Sequence, residues 1–335
     1  RRWRLMTILE ALAMRWRYRL SPPPALAMLV SVSSIAGDVL EIELEDGALV
    51  SSVKAVIKGA WNVPIECQML TMGGHLLNDS EHLASHGDDN MPVYLTMILS
   101  LEATSKALSS PFHAERILAL DIFANLGFRG GGAAIETVLA CLANDLDWRV
   151  RIKSVQALAE MAARGDERVV TAVRAHLNEQ VKLMRMVVLE TLPKLAAKGD
   201  RLTIVTLIER LHWKGCQNAE FQPEFKAIVN ALIELAKGDK VVIFALSGFL
   251  KSSNREEQEV AMHAIVKVAE KGDKRAVASV SAFLTDADEV MRMWSVQALA
   301  KLAATGDQRS IKAVRLRLKD KSSVVRKAAV QALAT

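Results

Sequence analysis

The residue types that most often carry chemistry are few and scattered in this chain. The three cysteines, Cys67, Cys141 and Cys216, lie far apart, and no Cys-x-x-Cys or Cys/His cluster has the spacing of zinc ligands. There is no nucleophile elbow, phosphate-binding loop or His-Glu-x-x-His motif, and Gly130-Gly131-Gly132 alone does not meet the dinucleotide-binding pattern. We therefore predict no catalytic residue, no metal site and no cofactor, and a protein that is not an enzyme.

What does recur is a Gly-Asp pair with a nearly fixed spacing. A supersecondary unit repeated with a period of a few tens of residues cannot bury its apolar face alone, so neighbouring copies stack into a solenoid with an extended binding surface. The period therefore predicts a binding scaffold. All the intervals between successive pairs are equal except the second, which is longer. The pairs stand at Gly165-Asp166, Gly199-Asp200, Gly238-Asp239, Gly272-Asp273 and Gly306-Asp307.

Each copy is predicted to form two antiparallel helices. In residues 166–198, Asp166 caps a first helix, Asn178-Glu179-Gln180 makes a turn, and a second apolar-striped helix ends before Gly199. Residues 111–335 then contain a half unit and six two-helix repeats. The longer copy has its additional residues near 215–219, between its two helices.

The second helices share a residue pattern that points to one repeat class. Several open with an acid, an apolar residue and Arg, as in Asp147-Trp148-Arg149-Val150-Arg151, and close with Ala-Leu-Ala. This resembles the HEAT repeat, an armadillo-like helical repeat, and specifically the short variant associated with bilin lyases. The resemblance implies a structural ladder between neighbouring repeats. Its members would be Arg151, Arg185, Arg292 and Arg326, with Asp145, Asp147, Asp286, Asp288 and Asp320 nearby. It would be interrupted where Glu224 and Gln258 replace the Arg.

The resemblance also implies that the second helices line a concave face that binds a protein partner. Trp294 stands out because its counterpart in another repeat is Lys153, an expected solvent position, so Trp294 is either an interface anchor or packs on its neighbouring helix. The outward positions chosen as partner-binding are Lys153, Val187, Lys226, Val260, His263, Trp294 and Gln297.

A basic patch lies near the end of the sequence. It would track phosphates or an acidic protein surface, or else form a solvated helix face; without interleaved aromatic residues, nucleic acid is not expected. The apolar last helix, residues 330–335, leads us to expect further repeats or a partner beyond it. The patch contains Arg309, Lys312, Arg315, Arg317, Lys319 and Lys321.

Residues 28–101 have a different pattern, with a hairpin around Gly37, a short helix capped at Ser51-Ser52 and ending by Gly59, and two further strand-like segments. The stretch from Gln68 to Asp79 resembles ubiquitin's third strand, turn and fourth strand. The resemblance implies a small β-grasp domain, fused to the repeats through a linker at 102–110. The predicted fold is thus multidomain α+β, a ubiquitin-like domain followed by an all-α superhelical solenoid.

Charge is distributed unevenly along the chain. Residues 1–27 carry six Arg against one Glu, residues 28–101 two Lys against ten acids, and residues 111–335 34 basic residues against 26 acids. The first segment is amphipathic and ends at Pro22-Pro23-Pro24, so it is an organelle transit segment, a basic helix on a membrane or partner, or a stretch that precedes the true start. No apolar run is long enough for a membrane span.

Three functions follow from these patterns. The first is a non-catalytic scaffold or assembly subunit that binds a protein partner. The alternatives are an adaptor or shuttle of the ubiquitin pathway and a bilin-lyase-like tetrapyrrole chaperone or enzyme. The reduced cysteines indicate an intracellular compartment, the cytoplasm by default, with an organelle stroma or matrix as the alternative.

Overall fold

The computed structural model of the protein describes residues 27–45, 47–85, 92–212 and 222–334. The predictions made for residues 1–26 and for residues 215–219, which include Cys216, lie outside the described residues. The chain divides into an N-terminal unit that ends at Leu126 and a C-terminal unit that begins at Gly127. A mixed sheet with helices forms the first unit, and a helical repeat array forms the second, as the sequence pattern predicts.

The sheet of the N-terminal unit has five strands, and β1 lies between β2 and β5. β1 runs antiparallel to β2 and parallel to β5. Alternate side chains face the core, so that Val30 and Val32 of β1 lie opposite Val93 and Leu95 of β5, and all four are buried. The strands are β1 (Ala27–Ser34), β2 (Val39–Glu45), β3 (Gln68–Met72), β4 (His75–Leu76) and β5 (Val93–Leu99), in the order β2-β1-β5-β3-β4.

Helix α1 (Val50–Trp61) follows β2, and both of its ends differ from the prediction. It begins at Val50 with no side-chain cap, so Ser51 and Ser52 lie inside its first turn. It also continues through Gly59 and stops only at Asn62, whose φ of 52° is left-handed. A left-handed residue ends a helix more decisively than a glycine that keeps helical geometry.

The predicted linker at 102–110 is partly helical. Helix α2 (Glu102–Ala107) packs on the turn at Ile65–Cys67, and Thr104 is buried with its hydroxyl 3.6 Å from the Cys67 thiol. Helix α3 (His113–Leu126), the predicted half unit, also belongs to the N-terminal unit. Residues 102–107 have little apolar periodicity, and tertiary packing rather than local pattern stabilises this helix.

The C-terminal unit contains six consecutive helix pairs, in each of which we name the first member the A helix and the second the B helix. Successive B helices contact one another more extensively than successive A helices do, so the B helices form the inner, closely packed layer. The pairs are α4 (Gly131–Asn144) and α5 (Trp148–Met161), α6 (Glu167–Ala175) and α7 (Lys182–Leu195), α8 (Arg201–Leu211) and α9 (Gln222–Leu235), α10 (Lys240–Phe249) and α11 (Arg255–Val268), α12 (Lys274–Ser281) and α13 (Glu289–Leu302), and α14 (Gln308–Arg317) and α15 (Ser323–Ala334).

The recurrent Gly-Asp pair makes the turn between repeats, and at Gly165, Gly199, Gly238 and Gly272 it also joins the turn to the following repeat. Gly165 has a φ of 90°, which glycine adopts without strain, and its N–H donates to the carbonyl of Leu195 at the end of the next B helix (2.7 Å). The same bond joins Gly199 to Leu235, Gly238 to Val268 and Gly272 to Leu302. The aspartate caps the next A helix: Asp166, Asp200, Asp239, Asp273 and Asp307 each accept a backbone N–H.

The longer repeat shifts the register of α9 by one residue. The turn after α9 is one residue shorter than the turn after α7, so Phe225, and not Glu224, occupies the position of Arg185. Glu224 instead stands at the buried position of Met184. For the same reason Ala227, and not Lys226, falls in the outward row.

One helical run within the described residues, His113–Asn144, is long and apolar enough to cross a membrane by length and composition. It is not one continuous α-helix. Gly127 and Gly131 have φ values of 55° and 65°, and the 3-10 turn Gly127–Gly130 separates α3 from α4. We draw no membrane assignment from this run.

Candidate partner-binding surface

The predicted partner-binding residues lie along the B helices in two parallel rows. The first row is half-exposed and contains Lys153, Val187, Val260 and Trp294. The second row is fully exposed and includes His263 and Gln297. Each row takes one residue from each of several stacked helices, so together they form a continuous surface on the inner layer.

A cleft of about 290 Å³ opens on this surface between α9 and α11. Val260 and Ile233 contribute apolar walls, while His263 and the ion pair between Lys226 and Glu256 lie at its rim. Three predicted residues therefore meet at one place, although Lys226 lies outside the row to which the sequence pattern assigned it. The lining residues are Lys226, Val229, Asn230, Ile233, Glu256, Glu259, Val260, His263, Ala264 and Lys267.

Trp294 is neither fully exposed nor buried. The guanidinium of Arg255, from the preceding B helix, lies over its ring with Cζ 5.9 Å from the centroid. Arg255 also approaches Asp288 at 3.7 Å. The indole is therefore held by a neighbouring helix while part of its surface stays open to solvent.

The ladder arginines use their guanidinium groups to hold the turn inside each repeat. Arg292 donates to the carbonyls of Asp286 and Ala287, six and five residues earlier (2.8 and 3.0 Å). Arg151, Arg185 and Arg326 make the same two bonds. Arg116 of α3, which the sequence pattern missed, makes them with Ser110 and Pro111.

Three of these arginines also bind an acid of the following repeat, and we call each such contact a rung. Arg292 binds Asp320 through two bonds of 2.9 and 3.0 Å, and both side chains are buried. Arg151 approaches Glu179 at 3.4 Å, and the third rung joins Arg185 to Glu224. Asp147 and Asp288, which the sequence pattern placed in the ladder, instead cap α5 and α13 by accepting the N–H groups of Arg149 and Val290.

Glu224 was predicted to interrupt the ladder, but it is the acid of a rung. Its fully buried carboxylate accepts three bonds of 3.0–3.2 Å from Arg185 and two more, of 2.8 and 3.0 Å, from Arg210 of α8. One carboxylate thus satisfies two guanidinium groups at the long repeat.

The next boundary, between α9 and α11, has no arginine rung among the described residues. Across it, Gln222 donates to Glu257 at 3.4 Å, and Lys226 pairs with Glu256 at the exposed rim of the cleft. Inside the following repeat, the side-chain amide of Gln258 takes over the carbonyl contact of the missing arginine, at Ser252 (2.7 Å). A neutral amide at 3.4 Å is a weaker link than a charged pair.

Two of the rungs lower the pKa of their acids. The Arg292 guanidinium holds the pKa of Asp320 below its usual range, and the pKa of Arg292 is raised in turn, mainly by its hydrogen bond to that carboxylate. The pKa of Glu179 is lowered first by a hydrogen bond from His176 and then by the charge of Arg151. The ionised forms of Asp320 and Glu179 are therefore favoured in the folded state.

The basic patch separates into two groups. Arg309, Lys312 and Arg315 are exposed on α14, and Lys319 and Lys321 are exposed in the turn after it. Arg317 instead donates to the carbonyl of Leu284 (3.0 Å) in the preceding repeat. The turn lines an open cleft of about 380 Å³ that also contains two acids, Asp286 and Asp320, so its charge is mixed.

None of the described residues forms a group of three or more His, Cys, Asp or Glu side chains that could hold a metal ion. Cys141 is half-buried on the A helix α4, and its Sγ lies 4.0 Å from Asp145. It is therefore not part of the inner B layer.

A family model described as HEAT repeats matches residues 101–193 and 246–334, more than half of the chain. The chain belongs to the HEAT-repeat family. The region between the two matched segments contains the long repeat with its shifted register. No curated protein matches the chain.

Proposed function

We propose that this protein is a non-catalytic interaction scaffold that binds a protein partner on the inner surface of its B helices. HEAT repeats are generally protein-interaction scaffolds, and the stacked helices provide an extended surface suited to that use. The observation that carries the proposal is the cleft between α9 and α11. It lies where the first row, through Val260, and the second row, through His263, run side by side.

The chemistry of the cleft limits what fits it. Val260, Ile233 and Val229 provide apolar contact, and the charged rim contains both Lys267 and Glu259. A partner would insert an apolar side chain and present both signs of charge beside it. Such a central apolar contact within a polar rim is the usual anatomy of a protein interface.

Site-specific photocrosslinking in native cells tests this proposal. A benzoylphenylalanine at Val260 should crosslink one protein in stoichiometric amount, and Asn230→Arg, at the cleft wall, should abolish the product. The matched control places the crosslinker at Thr171, an exposed A-helix position. Equal crosslinking to the same protein from Thr171, or none from Val260, would contradict an inner binding surface.

We also propose that the N-terminal unit is a ubiquitin-like β-grasp module. The strand order β2-β1-β5-β3-β4, with a parallel central pair and a helix between β2 and β3, supports this identity. As a ubiquitin-pathway adaptor it would bind receptor domains through the sheet, where Thr71 and Thr96 lie opposite each other.

Titration of the full chain with a purified ubiquitin-associated domain tests the adaptor function. Binding that is lost in Thr71→Arg and kept in Ala55→Arg, on the exposed side of α1, would support it, whereas the absence of binding would reject it. Among the described residues, no feature supports the tetrapyrrole alternative. A reactive thiol would have to lie on the inner surface, but Cys141 lies on an A helix.

A further inference from the structure

Two neighbouring A helices, α8 and α10, expose a cluster of large apolar side chains, and we call this cluster the outer patch. It consists of Leu202 and Val205 on α8 and of Val241 and Phe244 on α10. Phe244 is 75% exposed and Leu202 66%, although both are in well-formed helices. Each pair is spaced i, i+3, so its two side chains lie on the same helix face.

The repeats themselves show that these positions do not need apolar residues. Counted from the capping aspartate, Leu202 and Val241 share one position, and Val205 and Phe244 share another. The other repeats place polar or small residues there, so the stack folds without the outer patch. The equivalents are Arg168 and Thr171 on α6, Arg275 and Ala278 on α12, and Arg309 and Lys312 on α14.

The two helices are held in register, which makes the patch continuous. Arg201, at the start of α8, binds Asp239, the cap of α10, at 2.9 Å. The N-termini of the two helices therefore lie side by side, and the apolar pairs follow one and four residues later along each helix. At typical helix spacing the four side chains cover about 10 Å across and about 5 Å along the helices.

The border of the outer patch carries more basic than acidic side chains, although the exposed carboxylate of Glu270 lies beside Gly238. Lys240, Lys274 and Arg275 are exposed at the N-terminal ends of α10 and α12. The carboxylates of the capping residues Asp239 and Asp273 accept hydrogen bonds from backbone N–H groups of their own helices. Glu209 is exposed on α8 but lies towards its opposite end.

We propose that the outer patch docks an acidic amphipathic helix of a partner protein. A helix supplies apolar side chains at i, i+3, i+4 and i+7, which match two short apolar ridges on adjacent helices. Its flanking Asp or Glu residues would face Lys240, Lys274 and Arg275, and this complementarity favours an acidic over a basic helix. Because the patch is on A helices, it is distinct from the inner surface, and both sites can be occupied together.

A repeat-swap variant tests the proposal with little risk to folding. Leu202→Arg with Phe244→Thr installs the residues that α6 carries at the same positions, Arg168 and Thr171. The probe is a fluorescein-labelled synthetic peptide of six helical turns with Leu on one helical face and Glu on the other, followed by fluorescence anisotropy with the full chain. A peptide in which Lys replaces each Glu is the charge control, and Val260→Lys is the control on the inner surface.

We expect the Glu/Leu peptide to bind the wild type and Val260→Lys equally, and the double variant at least about tenfold more weakly, as expected when central anchors are lost. The proposal is overturned if the double variant binds as well as the wild type, or if the Lys/Leu peptide binds as tightly. It is equally overturned if the patch mediates self-association that the double variant abolishes, or if phosphatidylserine vesicles bind and the peptide does not. Matching thermal unfolding of both proteins establishes that the variant is folded.

Discussion

Arg185 of α7 and Glu224 of α9 are joined by three hydrogen bonds of 3.0–3.2 Å, with both side chains buried between neighbouring repeats. Glu224 is also the partner of Arg210, so this single carboxylate connects α7, α8 and α9. It does so at the one repeat whose length departs from the common period.

Replacing Glu224 with Gln should destabilise the repeat array by about 3 kcal/mol or more, because two buried guanidinium groups lose their counter-charge. Urea unfolding followed by circular dichroism measures the change. Glu209→Gln, on the exposed face of α8, is the control and should change the free energy of unfolding by less than about 0.5 kcal/mol. Equal effects of the two substitutions would show that the buried carboxylate has no special role.

Gly272→Ala should destabilise the array by about 1–2 kcal/mol, the usual cost of a left-handed conformation for a residue with a side chain. Gly272 has a φ of 88°, and an added Cβ would lie 3.4 Å from the Cβ of Ala304. Gly132, in helix α4 with open space around it, is the matched control. Gly132→Ala should leave stability unchanged or raise it, since alanine favours helices. Thermal unfolding of the two variants distinguishes them.

The stability of the array should depend on pH through Asp320. Because the folded-state pKa of this carboxyl is lowered by Arg292, its contribution is complete above the unfolded-state pKa and is lost as pH falls through the folded-state value. Asp320→Asn should therefore be less stable than the wild type at neutral pH, and the difference should shrink in acid. Gln297→Asn, at an exposed position of α13 without a titratable side chain, should show a difference that does not change with pH. Urea midpoints measured from neutral to strongly acidic pH provide the comparison.

The cysteines should react with iodoacetamide at very different rates. Burial raises the pKa of the Cys67 thiol, and its side chain is fully buried, so both thiolate formation and access are suppressed. Cys141 is only half-buried and should be modified before Cys67. Peptide mapping by mass spectrometry after native labelling reports each site separately. Modification of Cys67 before unfolding would show that α2 does not stay packed over it.

The repeat architecture was predictable because its signals are local. A glycine with positive φ and a capping aspartate recur at each turn, and each turn depends only on residues near it in sequence. The helix pairs follow from those turns. Helix α2 was missed because its short segment is stabilised by the packing of Thr104 on Cys67, which the local pattern does not show.

The rungs could be predicted only in part, because each depends on which distant acid reaches the arginine. Arg151 binds Glu179 and Arg292 binds Asp320. The number of residues between arginine and acid is the same in both rungs, so this constant interval could have been used to predict the pairing. Capping aspartates such as Asp147 are closer in sequence to the ladder arginine, but they accept a backbone N–H of their own helix instead. The role of Glu224 was not predicted because the turn after α9 is one residue shorter than the turn after α7. An alignment on the Gly-Asp pairs therefore places the residues of α9 one position away from their true equivalents in α7.

The lack of an arginine rung between the described residues of α9 and α11 has a mechanical consequence. On the far edge of this boundary, the bond from Gly238 to Val268 (2.7 Å) is as short as its equivalents elsewhere. The boundary is thus closed on one side by this backbone bond, and on the other by a neutral amide contact and the exposed ion pair between Lys226 and Glu256. The cleft beside Val260 opens at this same boundary. We expect a rotation about the Gly238 side to change the width of that cleft together with the angle between the two successive repeats.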